Sequence, residues 1–224
     1  MTSDGELPCL CPICRTGLSQ FDSIGAPGSP GHRAGARCSH CGSLERNRLA
    51  WLYLLNATDL FSDYERTAVL FECAEPLLST KLAQAGEPAT LCAGAAPAPG
   101  GRLAYPDHTF DAAYLGHVLG TLPDDRWFLR ELRRVLKPTG WAIVHTFVVR
   151  DRTEELDAGE ARRRGRFRIY GRDLPERLAP VGFTVQADAY AQRLGPERAR
   201  RYGLAPDEVL YRLTPSRRQA NPNV

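Results

Sequence analysis

Four cysteines carry the most legible chemistry in this sequence. Cys11-Pro-Ile-Cys14 is followed, after twenty-three residues, by Cys38-Ser-His-Cys41. A C-x-x-C turn aims two thiolates at one ion, and two such turns close a tetrahedral shell of sulfurs. Cys11, Cys14, Cys38 and Cys41 are therefore expected to hold a structural zinc ion. A closed shell leaves no position for substrate, so this ion stands outside any reaction. Cys9 makes only a C-x-C pair with Cys11, a poorer knuckle, and the expected ligand is Cys11. His32 and His40 read as bystanders. So short a segment builds little core, which couples metal binding to folding. Two disulfides are the alternative, but they need an oxidising compartment. Met1 to Pro8 is acidic and polar rather than signal-like. The expected location is cytoplasmic.

Composition narrows the partners. Lys and Arg number 29 against 26 Asp and Glu, a net charge of +3 that is too small to mark a polyanion-binding protein. The densest basic run, Arg162 to Arg164 with Arg166 and Arg168, reads as a solvated helix face. No apolar run is long enough to span a bilayer. A small-molecule substrate is expected, with neither nucleic acid nor membrane as partner.

The elements that must position these groups follow from periodicity. Residues 1–42 form the zinc-ribbon module, with Ser23 to Gly35, rich in Gly, Pro and Ser, expected as a loop without helix or strand. Residues 43–66 form a connecting helix, with Ser43 as its N-cap and Leu49, Leu52 and Tyr53 at helical spacing. From 67 to 215 short apolar runs alternate with helices. Strands are expected at Thr67–Cys73, Ala89–Cys92, Phe110–Leu115, Trp141–Val149, from Gly182 and at Val209–Leu213; helices at Leu77–Ala85, Asp124–Leu136 and Leu174–Leu178. Residues 216–224 read as a disordered tail. Such alternation argues an α/β fold with a parallel sheet, whose ligands bind at the carboxyl ends of the strands. His117 follows one of those ends, and its ordinary pKa near neutrality suits a general base. A structural loop histidine is the competing reading.

Asp107-His-Thr-Phe-Asp111, then His117-Val-Leu, then Leu132-Arg-Arg-Val-Leu-Lys137-Pro-Thr-Gly140 resembles the class I S-adenosylmethionine-dependent methyltransferases. Cys38-Ser-His-Cys41-Gly-Ser-Leu-Glu-Arg46-Asn-Arg48 and the late Arg201-Tyr-Gly-Leu204 are similar to a branch of that superfamily with an N-terminal zinc ribbon. The resemblance implies a Rossmann-like class I methyltransferase sheet, S-adenosylmethionine as cofactor and methyl transfer to a small molecule. It places Glu72, Ala74, Glu75, Cys92, Ala93 and Leu115 around the cofactor and makes His117 the catalytic candidate. For Glu72 and Glu75 the competing reading is a helix N-terminal charge. The sequence also departs from the family pattern. The loop after the first strand has no glycine, and Thr90 to Gly94 has no carboxylate for the ribose hydroxyls. Arg102 stands where an acceptor for the adenine amino group is expected, as an anion-binding group or a surface arginine. These departures keep two alternatives: an enzyme of this fold turned to cyclisation, elimination or rearrangement, and a non-catalytic zinc-ribbon binding protein.

Overall fold

The computed structural model describes residues 7–29, 31–62, 65–72, 77–85, 89–94 and 100–216. The N-terminal module consists of two small hairpins, β1 (Cys9–Leu10) with β2 (Gly17–Leu18) and β3 (Asp22–Ile24) with β4 (Arg33–Arg37). The second hairpin corrects the expectation of a structureless loop. Its Gly and Ser residues form the turn, and the strands that flank it pair across.

Helix α1 (Glu45–Asn56) starts one residue later than expected. Leu44 is its N-cap, and the Asn47 side chain accepts from the Leu44 amide at 3.0 Å. Ser43 is drawn instead to the cysteines, with its Oγ 3.4 Å from Cys11 Sγ and 3.2 Å from Cys41 Sγ. The buried face of α1 carries Leu49, Ala50, Trp51, Tyr53 and Leu54, which share one core with Cys11, Phe21, Cys38, Ala68 and Leu210. Module and sheet therefore pack without an intervening linker.

The sheet alternates as the apolar runs require. β5 (Arg66–Glu72), α2 (Leu77–Ala85) and β6 (Ala89–Ala93) are followed by β7 (Phe110–Gly116), α3 (Asp125–Val135) and β8 (Leu136–His145). Asp124 caps α3 by accepting from the Trp127 amide. β8 does not continue to Val149 as expected. It stops at His145, and β9 (Val148–Arg150) leaves the sheet to join β10 (Glu154–Glu155) and β11 (Arg168–Gly171), with α4 (Ala158–Arg164) between them. α5 (Leu174–Leu178) and β12 (Phe183–Asp188) follow, then α6 (Tyr190–Arg193), α7 (Pro196–Arg201) and β13 (Leu210–Pro215). The six strands run in the order β12-β13-β8-β7-β5-β6. β6, β5, β7 and β8 are parallel, while β13 and β12 are antiparallel. An antiparallel β13 brings its start to the edge where β7 and β8 end, so residues distant in sequence meet there. Ser216, expected in the tail, still donates its amide to the Gly182 carbonyl at 2.9 Å; the rest of that stretch, 217–224, lies outside the described residues.

Candidate functional site

The four cysteines of the ribbon converge. Cys11 Sγ lies 3.6 Å from Cys41 Sγ, and Cys14 Sγ lies 3.8 Å from Cys38 Sγ. All four sulfurs lie within 4.8 Å of one another. Zinc–sulfur bonds of about 2.3 Å in a tetrahedron set sulfurs about 3.8 Å apart, so the donor set fits a zinc ion. Arg15 and Gly42 take positive φ, 58° and 75°, to turn each knuckle around its centre. Neither Cys9 nor a histidine belongs to the group.

Arg48 fastens this module to the far end of the chain. It is fully buried, donating to the carbonyls of Tyr202 (2.7 Å), Gly203 (2.6 Å), Ala36 (3.1 Å) and Ser43 (2.7 Å). Its guanidinium also lies 3.9 Å from the centre of the Phe21 ring. A side chain at Gly203 would meet Phe21 at 2.4 Å, and φ there is +59°, so only glycine fits. The resemblance in Arg48 and in Tyr202-Gly203 is thus one structural joint.

The described ones among the expected cofactor residues, Glu72, Cys92, Ala93 and Leu115, lie along one sheet edge. β5, β6 and β7 are adjacent and in register, with Leu70 opposite Ala93, Phe71 opposite Leu115 and Glu72 opposite Gly116. Glu72 is already engaged, since its carboxylate accepts from the amides of Leu78 and Ser79, both at 2.9 Å. That is the helix N-terminal role. Leu115 is fully buried in the core, so only its backbone faces the edge. Ala93 is exposed and Cys92 half-buried. Ala74 and Glu75 lie outside the described residues. Gly94 passes so close to Phe71 that a Cβ would meet its ring at 2.4 Å. Arg102 is a surface arginine, paired with Asp107 at 3.4 Å.

His117 stands one residue past β7 with φ +60°, and its amide donates to the His145 carbonyl at 2.7 Å. Its ring packs on His145 and Phe147, at centroid distances of 4.7 and 4.5 Å. Burial, then His145 and the charges of Arg46, Arg166 and Arg33, push its pKa down to about 2. The ring is neutral at ordinary pH and a weak proton acceptor. It borders a cavity of 220 Å³ with Arg46, Thr121, Thr146, Phe147 and Arg166. A second cavity of 450 Å³, lined by Arg33, Glu45, Glu208 and Tyr211, shares the wall formed by Thr146, Phe147 and Val149. The ribbon module therefore reaches the second cavity through Arg33, which is ion-paired to Glu45.

Buried charges brace the outer wall. Arg168 donates to the carbonyls of Leu119, Leu122 and Pro123 and to Glu155. The Tyr170 hydroxyl and Arg177 both donate to Asp125. Burial alone would raise the Asp125 carboxyl, but Arg177, Arg168 and Tyr170 together hold it below the usual carboxylate range. Tyr170 is thus held at Asp125 while also lining the 220 Å³ cavity, and Arg168 leaves the basic run to serve the fold. Sequence reasoning reaches Arg48 only as part of a resemblance, with no role, and passes over Glu208, which sits in no chemical motif.

Residues 57–144 match the family model described as a methyltransferase domain, which covers β5 through most of β8. Over these residues the chain is similar to a methyltransferase domain. No curated protein matches the chain in sequence. The methyltransferase domain is similar in structure to the 1,6-didemethyltoxoflavin-N1-methyltransferase of Burkholderia thailandensis, at 17% identity and TM-score 0.46, covering 77% of this chain and 78% of that one. An S-adenosylmethionine-dependent methyltransferase from Mesorhizobium loti is similar at 14% identity and TM-score 0.46, covering 74% and 97%. The 4+2 cyclase SpnF is similar at 18% identity and TM-score 0.44, covering 76% and 81%. Among the described residues no helix is long and apolar enough to cross a membrane.

Proposed function

We propose that the protein is a cytoplasmic S-adenosylmethionine-dependent methyltransferase acting on a small molecule, with zinc held by Cys11, Cys14, Cys38 and Cys41. The observation that carries this reading is that the family match falls on the parallel strands whose ends line one edge. S-adenosylmethionine would supply an electrophilic methyl group. Backbone groups at Cys92, Ala93 and Leu115 would border it, with Ala74 and Glu75 as the further cofactor residues that the resemblance implies. Glu72 fixes the start of α2. His117 borders the acceptor's cavity as a neutral ring. The arginines there (Arg46, Arg166) favour an acceptor carrying negative charge. Catalysis would rest mainly on placing the acceptor in line with the methyl group.

A second reading has its own support. Glu72 is bound to helix amides, and the described end of β6 offers no carboxylate to the ribose hydroxyls. This favours an enzyme of the same fold that carries out cyclisation, elimination or rearrangement. Calorimetry with S-adenosylmethionine and its demethylated product decides. Binding of both, with methyl transfer to an acceptor, supports the first reading. Binding without any acceptor supports the second, and no binding at near-millimolar cofactor removes the first.

A further inference from the structure

Three strands deliver three ligating side chains to one point. Gly116 of β7 lies opposite His145 of β8, and His145 lies opposite Leu210 of β13. His117 follows that row by one residue, and Glu208 precedes it by two. One donor atom each from His117, His145 and Glu208 lies within 4.8 Å of the other two.

Four buried polar atoms here have no hydrogen-bond partner. His145 is fully buried and Glu208 only 7% exposed. Nε2 of His117, Nε2 of His145 and both carboxylate oxygens of Glu208 are buried without a hydrogen bond. His145 Nε2 comes within 3.2 Å of Glu208 Oε1, yet the two are not aligned as donor and acceptor. A buried carboxylate without a hydrogen bond or a cation is strongly disfavoured. An ion bonded at about 2.1 Å to two such atoms separates them by about 3.0 to 3.4 Å for right-angled or tetrahedral coordination. The observed spacing falls in that range. The other ring nitrogen of His145 is held as well, with Nδ1 3.0 Å from the Tyr114 hydroxyl. If Nδ1 carries the proton, Nε2 is free for a metal. Finally, His117 holds a left-handed backbone conformation that aims its ring inward.

We propose that His117, His145 and Glu208 bind one divalent transition-metal ion, distinct from the zinc of the cysteine cluster. Two imidazoles and one carboxylate suit iron(II), zinc or cobalt(II). Three protein ligands leave coordination positions open, unlike the closed cysteine shell. His117 and Glu208 border the two cavities, so an oxygen or nitrogen donor of a small molecule would complete the shell from there. This inference does not depend on S-adenosylmethionine binding.

Metal analysis of the full chain tests it. After zinc loading and removal of loosely held metal, the wild type should carry a second equivalent beyond that of the cysteines. Glu208→Gln and His145→Gln should each lose that equivalent and keep the first, which also reports an intact ribbon. Cobalt(II) added to wild type given only one equivalent of zinc, enough for the cysteines, should give a visible spectrum without thiolate charge transfer, a readout that needs no variant to fold. A single equivalent in the wild type with no cobalt spectrum would overturn the site. So would a second equivalent that survives in His117→Gln, Glu208→Gln and His145→Gln alike.

Discussion

Replacing Arg48 by methionine keeps most of the side chain's volume and removes its charge and all four donors. The carbonyls of Ala36, Ser43, Tyr202 and Gly203 then lose a partner in a buried place. Hydrogen bonds from a charged donor contribute about 1.5–3 kcal/mol each, and an orphaned buried polar group costs about 1–3 kcal/mol. Water reaching some carbonyls, and the desolvation that the arginine no longer suffers, offset part of this. We expect a loss of about 4 kcal/mol, large against a total stability of about 5–15 kcal/mol. Arg48→Lys keeps the charge but loses the fork and should cost about half as much. Urea unfolding of the zinc-loaded chain, followed by Trp51 fluorescence on α1, measures both. A loss below about 1 kcal/mol for Arg48→Met, or a lysine variant equal to wild type, would refute the assignment of Arg48 as the joint.

Cys14→Ser should abolish tight zinc binding by the ribbon and lower the thermal midpoint, whereas Cys9→Ser should leave both unchanged; equal losses in the two would reinstate Cys9 as a ligand. Asp125→Asn should destabilise by about 3–5 kcal/mol, because it leaves Arg168 and Arg177 without their buried acid. The folded carboxyl of Asp125 is held below its unfolded value. Its contribution is therefore full above the unfolded pKa near 4 and lost as pH falls through the folded value. Urea midpoints between pH 5 and pH 2 should thus fall more steeply in wild type than in Asp125→Asn, and parallel slopes would count against the pairing. Gly94→Ala should cost about 1–3 kcal/mol by forcing Phe71 aside. Phe71→Leu should relieve that cost in a double-mutant cycle, and strict additivity would mean the two positions do not touch.

The regular parts of the fold were legible because their periodicity coincides with burial. Thr67 to Glu72 and Phe110 to Leu115 are apolar runs inside a sheet covered on both faces, and they became β5 and β7. The pair of C-x-x-C knuckles was legible because local spacing alone dictates where the thiolates point. What failed was decided at a distance. The hairpin of Asp22 to Arg37 is held by pairing across the turn, which a Gly-rich composition conceals. Nothing local ends β8 at His145, since Thr146 to Val149 continues the apolar run. The strand stops because β9 pairs with β11. Glu208 was invisible for the same reason: an acid before a late strand means little until antiparallel β13 sets it beside His145.

The hydrogen bonds of Arg48 to Tyr202 and Gly203 span 154 and 155 residues. They bear on the order in which the chain assembles. The cysteine module leaves the ribosome long before the carbonyls of Tyr202 and Gly203 and the strand that fills the sheet between β8 and β12. The ribbon can capture its ion early, but it cannot dock fully until residues 202–215 have been made. Contacts of such long sequence separation are slow to close. The apolar face of α1 and the open side of β8 must therefore wait, uncovered, until those residues emerge, and that interval is where these segments are most exposed to aggregation.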